Sequence, residues 1–283
     1  MLRQRIITAV ILMAVLLPAL FAPHPMPFVL FTLVLISAAG WEWARLNGLT
    51  SPPLAIACGL LLAAACGLAA VLLPLAVGPT WPWWIGVAVW VLGGLVVLRG
   101  GPAGWPAVPA ALRVLIGLAL LWLAWWALTQ ARVIGINFLL SVLCIVWAAD
   151  IAAYFGGRAF GKRKLAPAIS PGKSWEGVYS GMAGVLLLAA LWIAADRRWD
   201  FDSMSVFTVL AERIGLIGMG LAALALAGLS VVGDLFESLV KRAAGAKDSS
   251  NLLPGHGGVL DRVDALLPVL PAVLALIHLP SVK

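Results

Sequence analysis

The chain has 283 residues, of which 63% are hydrophobic and 11% are charged, and its net charge is +7. Soluble domains carry about a quarter charged residues, so the composition excludes that class and predicts an all-α, polytopic membrane protein. The basic residues are scattered between apolar runs without aromatic residues interleaved on a polar face, which argues against nucleic acid as a partner and favours anionic lipid and phosphate.

Long apolar runs follow one another along the whole chain. A run of about 20 apolar residues crosses the hydrocarbon core as a helix, and no alternating pattern indicates a β-barrel. The sequence therefore predicts about nine transmembrane helices. They are Ile6 to Phe21, Phe28 to Trp41, Leu54 to Val77, Trp83 to Leu98, Leu112 to Leu128, Ile136 to Tyr154, Val178 to Ala195, Ile214 to Val232 and Ala265 to Leu279.

The chain divides into two parts by the motifs that it carries. Residues 1–134 contain apolar runs and no motif, whereas residues 135–283 contain two polar stretches, 150–177 and 233–264. With the N-terminus in the cytoplasm, both stretches face the cytoplasm and 14 of the 19 basic residues lie on that side, as the positive-inside rule requires. The five on the outer side are Arg132, Arg197, Arg198, Arg213 and Lys283.

The first polar stretch, residues 150–177, combines glycines with five basic residues, which suits close approach to phosphate oxygens. Gly172-Lys173-Ser174 copies the end of a P-loop, but Pro167 stands where that motif needs glycine, which excludes a P-loop ATPase. An anionic-lipid contact at the membrane flank would explain Arg163 and Lys164 alone. It does not explain Asp150, because a carboxylate near the end of an apolar span indicates an ion-paired or functional role.

The second stretch, residues 233–264, is richer in carboxylates. On a helix, Asp234, Glu237 and Lys241 fall on one face, and the glycine-rich turn around His256 is flexible enough to form an anion-binding concavity. Asp261 and Asp264 add carboxylates at the far end of the same stretch. Oxygen ligands without Cys or clustered His predict Mg²⁺, with Mn²⁺ as a substitute.

At these residues the sequence resembles the phosphatidate cytidylyltransferase family. The signature comprises Ser238 to Arg242, Lys247 to Ser250 and Leu253 to Asp264, and it matches without a departure. The upstream stretch is also similar to that family's nucleotide-side loop, in Asp150, Tyr154, Gly157, Gly161, Lys162, Ser170, Pro171, Lys173, Ser174, Glu176 and Gly177. The resemblance extends from about residue 140 to residue 270.

The resemblance implies transfer of CMP from CTP to phosphatidic acid, giving CDP-diacylglycerol and pyrophosphate, by a homodimer in a bacterial inner membrane whose active site faces the cytoplasm. Asp234 and Asp261 are then the expected Mg²⁺ ligands, with Asp264 and Glu237 as alternates. Lys173, Lys241, Arg242, Lys247 and Arg262 are expected to hold phosphates, and the nucleotide side is expected to involve Ser170, Lys173, Glu176, Asp150 and Lys162. For His256, general acid, phosphate donor and turn-stabilising side chain all stay open.

Two other functions fit some of the same features. A CTP-dependent lipid-alcohol kinase needs the same grip on metal and phosphates, and it differs only in the phosphorus that is attacked. A membrane transporter also places charges near the bilayer, but it should have repeat-related halves and broken helices at the midplane. Here the charges collect in two stretches on one side of the membrane, which favours an enzyme.

Overall fold

The computed structural model describes residues 2–73 and 79–280, and they form a bundle of helices. Lipid offers no partner for backbone N–H and C=O groups, so a spanning segment must satisfy them within a helix. The first half contains α1 (Leu2–Phe21), α2 (Met26–Leu46), α3 (Pro52–Leu72), α4 (Trp81–Ala88), a π-helical turn (Val89–Gly93), α5 (Gly94–Gly104), a 3₁₀ turn (Trp105–Ala107) and α6 (Ala110–Ile134).

The second half begins after Gly135 and contains two strands, the only ones among the described residues. Its elements are α7 (Ile136–Phe160), β1 (Lys164–Ala166), β2 (Ser170–Ser174), α8 (Trp175–Arg198), α9 (Val206–Ala243), α10 (Leu260–Val263) and α11 (Leu266–Ile277). The strands β1 and β2 pair antiparallel as a hairpin. The expectation of an all-helical, polytopic membrane protein is confirmed, with this hairpin as a local exception.

Eight helical segments of the described residues are long and apolar enough to cross a membrane, one fewer than the sequence predicts. The segment predicted as the ninth span is α11, whose 12 residues at 1.5 Å each reach about 18 Å. Ten of those residues are buried within the protein, which explains a hydrophobic sequence in a helix too short to span. The predicted end of the third span at Val77 and the placement of Lys283 lie outside the described residues.

Both polar stretches are more helical than their glycine content suggests. Asp150 lies within α7, which continues to Phe160, and α9 continues past Asp234 to Ala243. Within these two stretches, residues 161–174 and 244–259 and Asp264 therefore lie outside the helices. Near its start α9 is interrupted at Gly215, whose φ of 72° favours glycine because it lacks a β-carbon.

Close packing of α7 on α8 positions the polar residues at one end of the bundle. A β-carbon at Gly181 would lie 2.8 Å from the carbonyl oxygen of Ala149, and one at Gly177 would lie 3.0 Å from that of Ala153. Small residues at this spacing let two membrane helices approach backbone to backbone. The side chains of Asp150 and Tyr154 are thereby brought against the first turns of α8.

The opposite end of the bundle has its own polar contacts. Asp196 accepts hydrogen bonds from Asn137 Nδ2, from Ser205 N and Oγ, and from Thr208 Oγ1. Arg132, one of the basic residues predicted on the outer side, is buried and donates to the carbonyl oxygens of Leu20 and Ala22 at the end of α1. These groups hold helix ends together far from the two polar stretches.

Candidate active site

A cavity of about 480 Å³ opens where α7, β2, α8 and α9 meet. Its polar end is lined by Asp150, Arg158, Ser170, Lys173 and Asp234, which come from three different elements, α7, β2 and α9. Its other walls are apolar and include Val178, Met182, Ala227 and Val231. The cavity can therefore accept a molecule with an anionic end and a hydrocarbon end.

Lys173 joins the two polar stretches, residues 150–177 and 233–264, across this cavity. Its Nζ lies 2.5 Å from Asp234 Oδ2, and Ser238 Oγ donates to Asp234 Oδ1 at 3.3 Å. Lys173 is on β2 and Asp234 is on α9, so the predicted nucleotide-side and metal-side residues share one site. The expectation that the two stretches lie at the same end of the molecule is thus met.

A second ammonium group, that of Lys241, lies between two carboxylates. Its Nζ is 2.5 Å from Glu237 Oε2 and 2.6 Å from Asp261 Oδ1. Asp261 Oδ2 accepts three further hydrogen bonds, from Ser249 N, Ser249 Oγ and Gly258 N. Burial would raise the pKa of Asp261, but the hydrogen bonds from Lys241, Gly258 and Ser249 outweigh it and lower the pKa to about 2.

Asp264 has the opposite electrostatic environment. Its Oδ1 accepts from the N–H of Ala265 at 2.8 Å, and α9 approaches so closely that a β-carbon at Gly233 would lie 2.5 Å from the Asp264 carbonyl oxygen. Removal from water, followed by the negative charge of Asp234, raises the pKa of the Asp264 carboxyl. The Asp264 carboxyl thus lies near enough to Asp234, on α9, for their negative charges to repel each other.

Several predicted site residues lie outside the cavity. Glu176 accepts from the N–H groups of Lys162 and Arg163, both at 3.1 Å, and so holds the entry to the hairpin. The side chains of Lys162, Arg242, Lys247 and Arg262 are exposed. Arg242 donates to Ala246 O at 3.1 Å and Arg262 donates to His256 O at 2.6 Å, so both brace the turns of the signature.

His256 is partly buried, and its Nδ1 has no hydrogen-bond partner among the residues that the structure describes. It does not line the cavity. The structure therefore leaves its three possible roles as they stand from the sequence.

Sequence reasoning missed Glu42, on α2. Its side chain is completely buried, and its carboxylate accepts hydrogen bonds from Ser249, Ser250, Val259 and Leu260 of the signature. The available signal was an acidic residue at the edge of an apolar span, where a carboxylate is costly unless it is paired. Because the surrounding sequence contains no motif, nothing local pointed to its partners.

Comparison with known proteins agrees with this geometry. The sequence profile described as "Cytidylyltransferase family" matches residues 3–280. The chain is 39% identical to a phosphatidate cytidylyltransferase of Pseudomonas aeruginosa over 287 aligned positions, which cover 98% of this chain and 97% of that protein. It is 50% identical to a phosphatidate cytidylyltransferase of Haemophilus influenzae over 137 positions, 48% of this chain and 44% of the other.

Proposed function

The chain belongs to the cytidylyltransferase family, and we propose that it is a phosphatidate cytidylyltransferase. It joins CTP to phosphatidic acid and releases pyrophosphate, leaving CDP-diacylglycerol in the membrane. The observation that carries this proposal is the cavity between α7, α8 and α9, which combines Lys173, Arg158 and carboxylates at one end with apolar walls at the other. The cationic end suits the phosphates of the two substrates, and the apolar walls suit the acyl chains of the lipid.

The reaction makes one phosphorus–oxygen bond and breaks another. A phosphate oxygen of phosphatidic acid attacks the α-phosphorus of CTP, and the bond from that phosphorus to the pyrophosphate oxygen breaks. The attacking group is a phosphomonoester whose second pKa is about 6, so it is largely ionised near neutrality and needs no general base. The main obstacle is electrostatic repulsion between two polyanions.

The chain's own cations address that repulsion. Lys173 and Arg158 face the cavity, and Lys241 lies about two turns after Asp234 on α9, between Glu237 and Asp261. Ammonium and guanidinium groups held in place before the reaction stabilise charge without reorganising during it. We assign Lys173 to the CTP phosphates, because Ser170 and the hairpin backbone flank it.

Mg²⁺, with Mn²⁺ as a substitute, is part of the proposal. Within the described residues no three His, Cys, Asp or Glu side chains group tightly enough to hold an ion by themselves, so substrate phosphates would complete the coordination, as is usual for Mg²⁺. Two observations support a cation site at these carboxylates. The buried Glu237 Oε1 has no hydrogen-bond partner among the described residues. Burial and the negative charge of Asp234 raise the pKa of Asp264, and a bound cation would relieve that repulsion.

Asp234 and Asp264 are therefore the ligands that we favour, with Glu237 beside them. Asp261 remains a predicted ligand, although its oxygens accept hydrogen bonds from Lys241 and from Ser249 and Gly258 of the segment between α9 and α11, residues 244–265, called the signature loop below. The bound cation would neutralise phosphate charge and orient the leaving group. Placement in the bacterial inner membrane, a cytoplasmic active site and a homodimer also belong to the proposal, and they rest on the positive-inside distribution and the family resemblance.

Isotope position distinguishes this reaction from that of a CTP-dependent lipid-alcohol kinase. The purified protein is given Mg²⁺ and CTP labelled at the α- or the γ-phosphate, with phosphatidic acid or diacylglycerol as acceptor, and the lipid is extracted. We expect α-label in lipid with phosphatidic acid only, and γ-label in pyrophosphate. Incorporation of γ-label into lipid with none of the α-label would overturn the proposal. The Asp234→Asn variant serves as the inactive control.

A further inference from the structure

We propose that Glu42 is a positioning residue of the reaction: from α2, in the part of the chain without a motif, it sets the geometry of the signature loop that carries Asp261 and Asp264. The inference rests on the proposed function, since it names a residue on which the same site depends. Glu42 lies outside the cavity and is fully buried, so it acts through the loop and not on the substrate.

Among the residues that the structure describes, the four hydrogen bonds to the Glu42 carboxylate all come from the signature loop. Oε1 accepts from Ser250 Oγ at 2.6 Å and from Val259 N at 2.9 Å, while Oε2 accepts from Ser249 Oγ at 3.1 Å and from Leu260 N at 2.7 Å. Each oxygen thus receives one hydroxyl and one backbone amide. A carboxylate has about four acceptor sites, so this one is fully used by the loop.

The four donors belong to the two ends of a turn that must close for the site to form. Ser249 and Ser250 precede the turn around His256, and Val259 and Leu260 follow it. Asp261 bonds the same two ends from within, through Ser249 and Gly258. Leu260 is the residue before Asp261. The hydrogen bond from its backbone N–H to Glu42 therefore determines where the Asp261 carboxylate contacts Lys241.

The fit between Glu42 and the loop is tight. A side chain at Gly258 would collide with the Glu42 carboxylate and with Ser249 Oγ, so the loop cannot shift towards α2. If the loop moved away from α2, two buried backbone amides would lose their acceptor, and a buried amide without a partner is strongly unfavourable. The loop is therefore held at one distance from α2.

Glu42→Gln tests the role with little change in size. Its amide nitrogen faces a backbone N–H that cannot become an acceptor, so the loop must move. A displacement of about 1 Å can cost about a hundredfold in rate, and we expect a fall in kcat of that size with a smaller change in KM for CTP. We also expect a higher Mg²⁺ concentration for half-maximal activity. Glu42→Asp keeps the charge and should recover part of kcat.

Asp196→Asn is the matched control. Asp196 also accepts four hydrogen bonds, but it does so at the opposite end of the molecule, so a purely structural loss should lower the melting temperature and leave kcat and the Mg²⁺ dependence unchanged. If folded Glu42→Gln has the kcat and Mg²⁺ dependence of the wild type, the proposal is wrong.

A second variant applies if Glu42→Gln does not fold. Ser250→Ala removes one of the four donors, and we expect kcat to fall about threefold to tenfold, in line with loss of one hydrogen bond of about 1 kcal/mol. An unchanged kcat in that variant would also overturn the role of Glu42. Failure of the cytidylyltransferase proposal is a separate result, because the wild-type protein would then transfer no α-label to phosphatidic acid.

Discussion

Lys173 and Asp234 pair across the cavity although 61 residues separate them in the chain. Each is only part-buried, so both remain reachable by a substrate. The salt bridge thus keeps both side chains in place in the absence of substrate. A substrate phosphate competes with Asp234 for Lys173, and a cation competes with Lys173 for Asp234. Charge at these positions, more than their packing, should determine turnover.

Asp234→Asn should therefore lower turnover by about a hundredfold or more, the loss seen when one preorganised electrostatic group is removed, with little change in melting temperature. Formation of CDP-diacylglycerol at saturating CTP, titrated with Mg²⁺, measures it. Ser238→Ala removes only the 3.3 Å hydrogen bond to Asp234 and should cost less than tenfold. Near-normal turnover of Asp234→Asn at limiting Mg²⁺ would remove Asp234 from the site.

Asp261 and Asp264 should affect stability in opposite directions. The folded pKa of Asp261, about 2 against an ordinary 3.8, means that its charge stabilises the fold above pH 4 and that this contribution is lost as pH falls towards 2. The folded pKa of Asp264 is raised by burial and by Asp234, so its ionisation destabilises the fold as pH rises through that pKa.

At pH 8 with EDTA, Asp261→Asn should lower the melting temperature and Asp264→Asn should raise it. Each kcal/mol of change in the free energy of unfolding shifts the melting temperature by about 2–4 °C. Thermal unfolding in detergent measures both. Added Mg²⁺ should stabilise the wild type more than Asp264→Asn. A lower melting temperature for Asp264→Asn in EDTA would contradict the electrostatic description of that carboxyl.

Among the elements, the β1–β2 hairpin brings Lys173 and Ser170 to the cavity. Ser174 ends β2 and also caps α8, where its Oγ accepts from Gly177 N at 3.2 Å. Glu176, in the first turn of α8, fixes the other end of the hairpin through the amides of Lys162 and Arg163. The start of α8 thus sets the position of the hairpin.

Glu176→Ala should loosen the hairpin and raise KM for CTP about tenfold, with a smaller change in kcat. Trypsin should then cut faster after Lys162 and Arg163, because their backbone amides lose the Glu176 carboxylate as acceptor. Glu212→Ala, which removes an exposed carboxylate on the other side of the bundle, is the control. Unchanged KM and unchanged cleavage would show that the hairpin does not depend on Glu176.

At the scale of the whole molecule, the described residues contain eight helical segments that can cross the membrane. The sixth and the eighth end at the two polar stretches, so both stretches lie on the same side of the membrane as the N-terminus. The basic residues predict that this side is the cytoplasm. Arg132 is an outer-side exception with a structural role, because it donates to carbonyl groups at the end of α1.

Single cysteines test the orientation in a variant whose Cys58, Cys66 and Cys144 are replaced by alanine. Cysteines at the exposed positions Ala168 and Ala244 should be protected from an impermeant thiol reagent in intact cells and should react after permeabilisation. A cysteine at exposed Asp200 should react from outside. Labelling of Ala168→Cys in intact cells would show that the orientation is reversed.

Hydrophobic length and a contiguous signature are local properties of a chain, so the membrane class, most of the spans and the two polar stretches could be predicted without a structure. The sequence could not show that the last apolar run, α11, is a short buried helix, because hydrophobicity is the same whether a helix faces lipid or protein. Only the tertiary structure showed the pairing of Lys173 with Asp234 and the contact of Glu42 with Ser249, 207 residues away. Such contacts depend on how helices pack, and a lone carboxylate in an apolar run contains no information about which distant donors will meet it.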